Sequence, residues 1–422
     1  MVPGRTVVRL HQPSRPGATR NESGVALVMV VVVLAIVAVV IAEIGYGAHV
    51  DLASARNARD DLRAHYLARS ALNLSRLLLK IQEKMIDPNR NFVGDLQILE
   101  YAPVLLGAFS GGAADSSGMA EMVGIDLQAA KGIGLEGGGT FTLDASSEDG
   151  KVNVNCGGAL ASQTQKDGLA VALALLFLPA EFNPIFEQPD AEGNHMDRAQ
   201  MIQAIIDWTD FDETLYGTQE SAPEDYRYES LRDPYPTKNQ PFDTLEELHL
   251  VQGVGDEFMS RLKGSMTVWG GCGTVNVNEA DALVLALLII QYAREPDEFQ
   301  SPQRILEALQ LGSYAVTLRS LLFGMGITDV QQFIDFVQGP EQALGPLIAL
   351  LPPGTLPPPP PGIAVDQRSL ASAITVGKRR VWKLVASAEV GRVRKRIDAV
   401  WDTAKISLAG RGRGGYVYWR EE

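Results

Sequence analysis

The sequence predicts an α+β protein: a long N-terminal α-helix, an antiparallel sheet, and a large α-helical domain inserted into that sheet. Three observations predict it. Eighteen consecutive apolar residues, Val25 to Ala42, lead towards a stripe of Leu67, Ala71, Leu74, Leu78 and Ile81 at helical spacing. Alternating segments at 139–155 and 393–401 read as strands. Between two copies of Val-Asn-Val-Asn, at 152–155 and 275–278, the pattern is mainly helical.

With 422 residues, 46% hydrophobic and 21% charged, the chain is long enough for two or three domains and is not disordered throughout. A net charge of −14 disfavours general affinity for nucleic acid or anionic lipid. Five histidines and two cysteines are too scattered for a zinc spacing or a CxxC pair. The charge is uneven. Residues 1–24 carry Arg5, Arg9, Arg15 and Arg20 against Glu22 alone, whereas residues 207–233 carry nine acids against Arg227 and Arg232.

The apolar run exceeds the roughly 7–15 residues of a cleaved secretory signal. As a helix it spans ~27 Å, close to the ~30 Å hydrocarbon core of a bilayer. The basic leader stays cytoplasmic by the positive-inside rule, which sends residues 43–422 across the membrane. Arg63, Arg69, Asn73, Arg76 and Lys80 fall between the stripe positions, so an amphipathic helix follows the apolar one. As one rod from Val25 to Lys80 it would be on the order of 84 Å long. Gly45 and Gly47 are its expected soft points.

A basic leader ending in Ser23-Gly24, then an apolar helix continuing into an amphipathic one, resembles the N-terminus of type IV pilins and type II secretion pseudopilins. The resemblance implies that prepilin peptidase cuts after Gly24 and methylates Val25. It also implies a pilin-like long N-terminal helix packed on the sheet. The family's fifth mature residue is usually Glu, which meets the terminal amine of the subunit above; here Met29 stands there. A subunit with nothing above it has no amine to neutralise. The departure therefore points to a tip subunit, and among the minor pseudopilins to the general secretion pathway protein K family.

Eight segments follow: leader 1–24, transmembrane helix 25–42, periplasmic helix 43–86, and a pilin-like α+β part 87–155. Next come an inserted helical domain 156–274, a helical block 275–350, a proline-rich linker 351–362, and C-terminal strands 363–422 that complete the sheet. Residues 140–145 and 151–155 are expected to pair as a hairpin, and Asn155 and Asn278 to cap helices. Residues 168–178 are a buried-helix candidate and 199–208 are amphipathic. Ser301-Pro302 opens a further helix, and "LPPGTLPPPPPG" is a stiff extended connector. Cys156 and Cys272 lie at the two ends of the insertion. In an oxidising periplasm they would pair; otherwise they are two separate buried thiols.

The stretch 205–239 is chemically the most pointed. Asp207, Asp210, Asp212, Glu224, Asp225 and Asn239 offer the oxygen ligands that Ca²⁺ takes, though not in EF-hand spacing. A solvated acidic loop is the alternative. The "DWTDFD" and "ED-Y" pieces are similar to the calcium-binding helical domain of the protein K family, which favours the metal. Tyr226 and Tyr228 are placed to pack the loop. Carboxylate pairs also hold catalytic metals, but no nearby histidine or nucleophile points to an enzyme. "LEELHLVQGVGDEFMSRL" (245–262) resembles a helix-hairpin-helix, yet its acidic neighbours argue against DNA. The basic cluster 378–396 reads as a solvated sheet face.

What the resemblance implies is a non-catalytic minor pseudopilin at the tip of a type II secretion pseudopilus, made in the inner membrane with its C-terminal domains in the periplasm. Its partners would be I- and J-type minor pseudopilins, the major pseudopilin and the prepilin peptidase, with no nucleic acid. A type IV pilus minor pilin and a membrane-anchored, competence-type DNA receptor are the alternatives.

Overall fold

The structure is a computed structural model. It describes residues 22–89, 95–103, 105, 138–158, 161–187, 195–217, 223–229, 231, 233–321, 327–343, 354–377, 379–406 and 413–422. Most of the expected leader, much of the 87–155 part, the end of the 275–350 block and the start of the proline-rich linker lie outside these residues. Two compact units form, residues 1–62 and 63–422.

In the first unit the described chain is one helix. Helix α1 runs Glu22–Ile81, uninterrupted at Gly45 and Gly47, and its side chains from Gly24 to Leu62 are almost all exposed. It is long and apolar enough to cross a membrane.

In the second unit the rest of α1 supplies Ala64, Ala68, Ala71, Leu72 and Leu78 as its buried stripe. The predicted stripe shares Ala71 and Leu78; the small alanines on the preceding turns complete it. Helical backbone continues past Ile81 as a single π-turn, Gln82–Ile86. The stripe packs on Phe141, Leu143, Trp382, Leu384, Ala386, Ile397, Ala399 and Trp401 of a four-stranded sheet.

Among the described residues the strands are β1 (Thr140–Ser147), β2 (Val152–Asn153), β3 (Met266–Thr267), β4 (Val275–Asn276), β5 (Ile374–Thr375), β6 (Val381–Val390), β7 (Val393–Ile406) and β8 (Arg413–Glu421). The main sheet is β1-β6-β7-β8, antiparallel throughout. The expected hairpin does not form. Its first half is β1, whose partner is β6, while Val152–Asn153 pairs in parallel with Met266–Thr267. Local alternation marks a strand but does not choose its partner.

The insertion is accordingly longer than 156–274: everything from Glu148 to Arg380 lies between two neighbouring strands of the main sheet. The boundary expected at 274/275 cuts through one hydrophobic core, which draws on residues from Val152 to Ile374. Among the described residues, helices of seven residues or more in this insertion are α2 (Gln163–Leu176), α3 (Arg198–Asp207), α4 (Asp256–Leu262), α5 (Ala282–Gln291), α6 (Pro302–Leu321), α7 (Val330–Gln338) and α8 (Gln367–Ala373). Helix α2 buries only one face, through Leu169, Leu173 and Leu176, whereas α5 is buried continuously from Val284 to Ile290. Helix α6 crosses α5 at Gly312, where a Cβ would lie 2.4 Å from the Ala282 carbonyl oxygen. The described linker is a packed strap: Leu356 joins the core, and a Cβ on Gly362 would lie 2.0 Å from the Gln338 carbonyl oxygen.

The two Val-Asn-Val-Asn copies build the same device twice. The first asparagine of each, Asn153 or Asn276, accepts the backbone N–H of the second at 3.0 Å. Its amide also donates to a positive-φ glycine, Gly270 or Gly377, just past the partner strand. The second asparagine clamps both backbone groups of one distant residue. Asn155 does so at Phe242, and Asn278 at Ile327. Each clamped residue lies shortly before another helical segment, Leu245–Leu250 or α7. Asn155 and Asn278 are therefore cross-links rather than helix caps; Ser162 caps α2 and Asp281 caps α5.

Asn278→Ala strands the N–H and carbonyl of Ile327 and removes a 2.8 Å bond to buried Asp95. It is expected to cost about 2–4 kcal/mol, read as a lower urea midpoint of the full chain in detergent.

Candidate metal centre

Helix α3 begins with a capping box, Asp197 with Gln200, and buries Met201, Ile202, Ala204, Ile205 and Ile206. Its apolar face fixes the rotation of its last turn. Thr209 and Asp210 both donate their N–H to the Ile206 carbonyl, so the turn continues past Asp207. Asp207 and Asp210, three residues apart, thus project to one side. They do so at the negative end of the helix dipole, where a carboxylate is disfavoured and a cation welcome.

Glu224 comes to them through a loop closed by a bridge between Thr214 and Pro223. One carboxylate oxygen from each of Asp207, Asp210 and Glu224 lies within 4.8 Å of the others, and all three residues are buried. An ion with oxygens at about 2.3–2.6 Å spans such a group. Both oxygens of Glu224, Oδ1 of Asp210 and Oδ1 of Asn239 are buried without a hydrogen-bond partner. Orphaned carboxylate oxygens are what an oxygen-ligated cation would satisfy, so the donor set fits Ca²⁺.

Electrostatics agree. Burial, then the carboxylates of Asp207, Asp210, Asp212 and Asp225, push Glu224 up to about 9. Burial, joined by the charges of Asp210 and Asp212, raises Asp207 to about 7 against a 2.7 Å bond from the Tyr216 N–H. Burial also raises Asp210.

Residues 181–271 match the family model of the type II secretion system (T2SS), protein K. All three clustered carboxylates lie within that match. That segment is similar to the protein K family of the type II secretion system. No curated protein matches the chain. Among solved structures, a chain of the GspK–GspI–GspJ complex from the enterotoxigenic Escherichia coli type 2 secretion system is similar at 16% identity and a TM-score of 0.42. The likeness covers 68% of this chain and 81% of that one.

Of the other three expected ligands, Asp212 and Asp225 are not part of the carboxylate cluster, while Asn239 brings a buried oxygen without a hydrogen-bond partner. Asp212 is exposed, with Oδ1 accepting the N–H and hydroxyl of Thr214. Asp225 Oδ1 accepts the N–H and hydroxyl of Thr237, both at 2.8 Å, and so clips the loop to the chain ahead of Asn239. Asn239 has φ 48°, a left-handed conformation that asparagine tolerates. Tyr228 is buried and shares an aromatic cluster with Trp208 and Tyr235, whereas Tyr226 is exposed beside Arg227.

Cys156 and Cys272 are joined as a disulfide, with Cα atoms 5.6 Å apart. The turn after Cys156 abuts the site: a Cβ on Gly158 would lie 3.3 Å from the Thr209 carbonyl oxygen, between Asp207 and Asp210 in sequence. The first two residues of the Gly-Val-Gly turn face inward, while Gly255 is exposed. A Cβ on Gly253 would lie 2.5 Å from Met196 Sδ, and the N–H groups of Gln252 and Val254 bond to Tyr228 Oη and the Val251 carbonyl. Those amides are not presented to a phosphate.

In metal-free buffer, the raised carboxyls are protonated more readily folded than unfolded. Their contribution to stability is full below about pH 4. It is lost as pH rises through about 7 for Asp207 and about 9 for Glu224. The urea midpoint in chelator is therefore expected to fall from pH 5 to pH 9, and Glu224→Gln to flatten that fall.

Proposed function

We propose that this chain is a non-catalytic minor pseudopilin at the tip of a type II secretion pseudopilus, where it initiates or caps assembly. The observation that carries the reading is the match of residues 181–271 to protein K. The apolar length of α1 supports an inner-membrane anchor before assembly, with the second unit in the periplasm. Two features support the tip. Met29 replaces the acid that would neutralise a terminal amine above it. The Glu148–Arg380 excursion adds bulk that a thin filament could not accommodate in every layer. On the likeness of residues 181–271 to protein K we extend to this chain the I- and J-type minor pseudopilins as partners, with the major pseudopilin below and prepilin peptidase acting between Gly24 and Val25. A type IV pilus would use the same N-terminal features.

Deleting the gene is expected to abolish export of secreted proteins while leaving piliation intact, and Gly24→Ala to reproduce the defect. N-terminal sequencing of the filament-competent chain should start at methylated Val25. Loss of pili with normal export would instead favour the pilus reading.

We further propose that Asp207, Asp210 and Glu224 hold Ca²⁺ as a structural ion. When bound, the ion would neutralise three buried carboxylates at the end of α3 and fix the loop that returns to Glu224. At calcium about 100-fold above Kd, mass action adds about 2.7 kcal/mol, a rise in melting midpoint of roughly 5–10 °C. Asp207→Asn with Glu224→Gln should remove the rise. An unchanged midpoint with and without chelator in the wild type would refute the site.

A further inference from the structure

We infer that Lys166 is a fixed counter-ion built into the metal centre, and that it sets how tightly the divalent ion is held. The inference rests on the metal reading of Asp207, Asp210 and Glu224. Lys166 stands near the start of α2, and its Nζ lies 2.7 Å from Asp210 Oδ2 and 3.3 Å from Asp212 Oδ2. Its side chain is 14% exposed and that of Asp210 only 2%. Lys166 thus divides Asp210 between two cations: Oδ2 takes the ammonium, while Oδ1 has no hydrogen-bond partner and is left for an ion. Asp212 is fully engaged by the same ammonium and by Thr214.

The neighbouring residue completes the grip. Asp167 Oδ1 accepts the hydroxyl of Tyr216 at 2.6 Å, and the Tyr216 N–H donates to Asp207 Oδ1. Two successive residues of α2 therefore hold the acidic loop from both sides, Lys166 at Asp210 and Asp167, through Tyr216, at Asp207. A positive charge beside a bound cation opposes it, with the interaction strengthened by partial burial. The same charge offsets part of the repulsion among Asp207, Asp210, Asp212 and Glu224 when no metal is present. Lys166 accordingly exchanges calcium affinity for a loop that keeps its shape without calcium. It acts as a positioning residue and is not itself a ligand.

The test uses the full-length chain in detergent, with Ca²⁺ titrated against a chromophoric chelator and thermal unfolding followed in EGTA. Lys166→Met keeps most of the aliphatic stem and removes the charge. It is expected to bind Ca²⁺ at least about tenfold more tightly, and to melt lower than wild type in EGTA but not in saturating Ca²⁺. Lys166→Arg should stay close to wild type in both readouts. If Lys166→Met unfolds in EGTA, the rate of Ca²⁺ release from the loaded protein decides: slower release supports the inference, equal or faster release overturns it. Unchanged or weaker binding by Lys166→Met, with normal binding by the wild type, overturns it alone. No uptake of Ca²⁺ by the wild type sinks the metal reading and this inference with it.

Discussion

The second unit depends on one carboxylate. Asp149 Oδ2 accepts the N–H groups of Arg380 and Val381 at 2.6 and 2.9 Å, across sequence separations of 231 and 232. The Asp149 carbonyl accepts the N–H of Asn276, the first asparagine of the second Val-Asn-Val-Asn copy. Next to it Gly150 packs so closely that a Cβ would lie 2.3 Å from the Glu279 backbone. The entry, the midpoint and the exit of the insertion thus meet at a single turn. That junction closes the insertion at the end of the β1–β6 ladder, whose two strands lie far apart in sequence.

A buried ionic group reinforces the junction. Arg379, 3% exposed, pairs with Asp95 at 2.6 Å and Glu279 at 2.5 Å. Asp95 also accepts from Asn278. Buried ion pairs seldom add much net stability over apolar packing, but breaking one leaves an uncompensated charge. The arrangement is therefore suited to specifying one way of seating the insertion on the pilin-like part. It also removes Arg379 from the solvated basic face expected for 378–396, while Arg394 and Arg396 remain exposed and pair with nearby acids.

Much of this was legible in the sequence, and what was not has a physical reason. The apolar run and its amphipathic continuation report directly on a helix, because burial recurs with the helical period. Ile397, Ala399 and Trp401 share the buried side of β7 because alternation is likewise local. The hairpin was misassigned because two strands close in sequence need not pair, and Asn153 and Asn155 already commit their region to the helical domain. At the candidate site, composition located the acidic stretch, but it could not distinguish Asp207, Asp210 and Glu224 from Asp212 and Asp225, whose oxygens are engaged by threonines. Lys166 gave no signal at all. It stands 44 residues before Asp210, and only tertiary packing brings it near.

The disulfide has a mechanical corollary. Residues 156–272 form a covalently closed loop with a separation of 116, inside an excursion whose ends, Asp149 and Arg380, are 231 apart. Tension applied across the ends of that excursion cannot reel out the closed portion while the S–S bond is intact. The strain falls instead on the segments outside that loop, chiefly the longer one that carries the second copy of the asparagine device, held by hydrogen bonds and packing alone. The half that carries the acidic loop is thereby shielded from load, and the other half is the one that can yield.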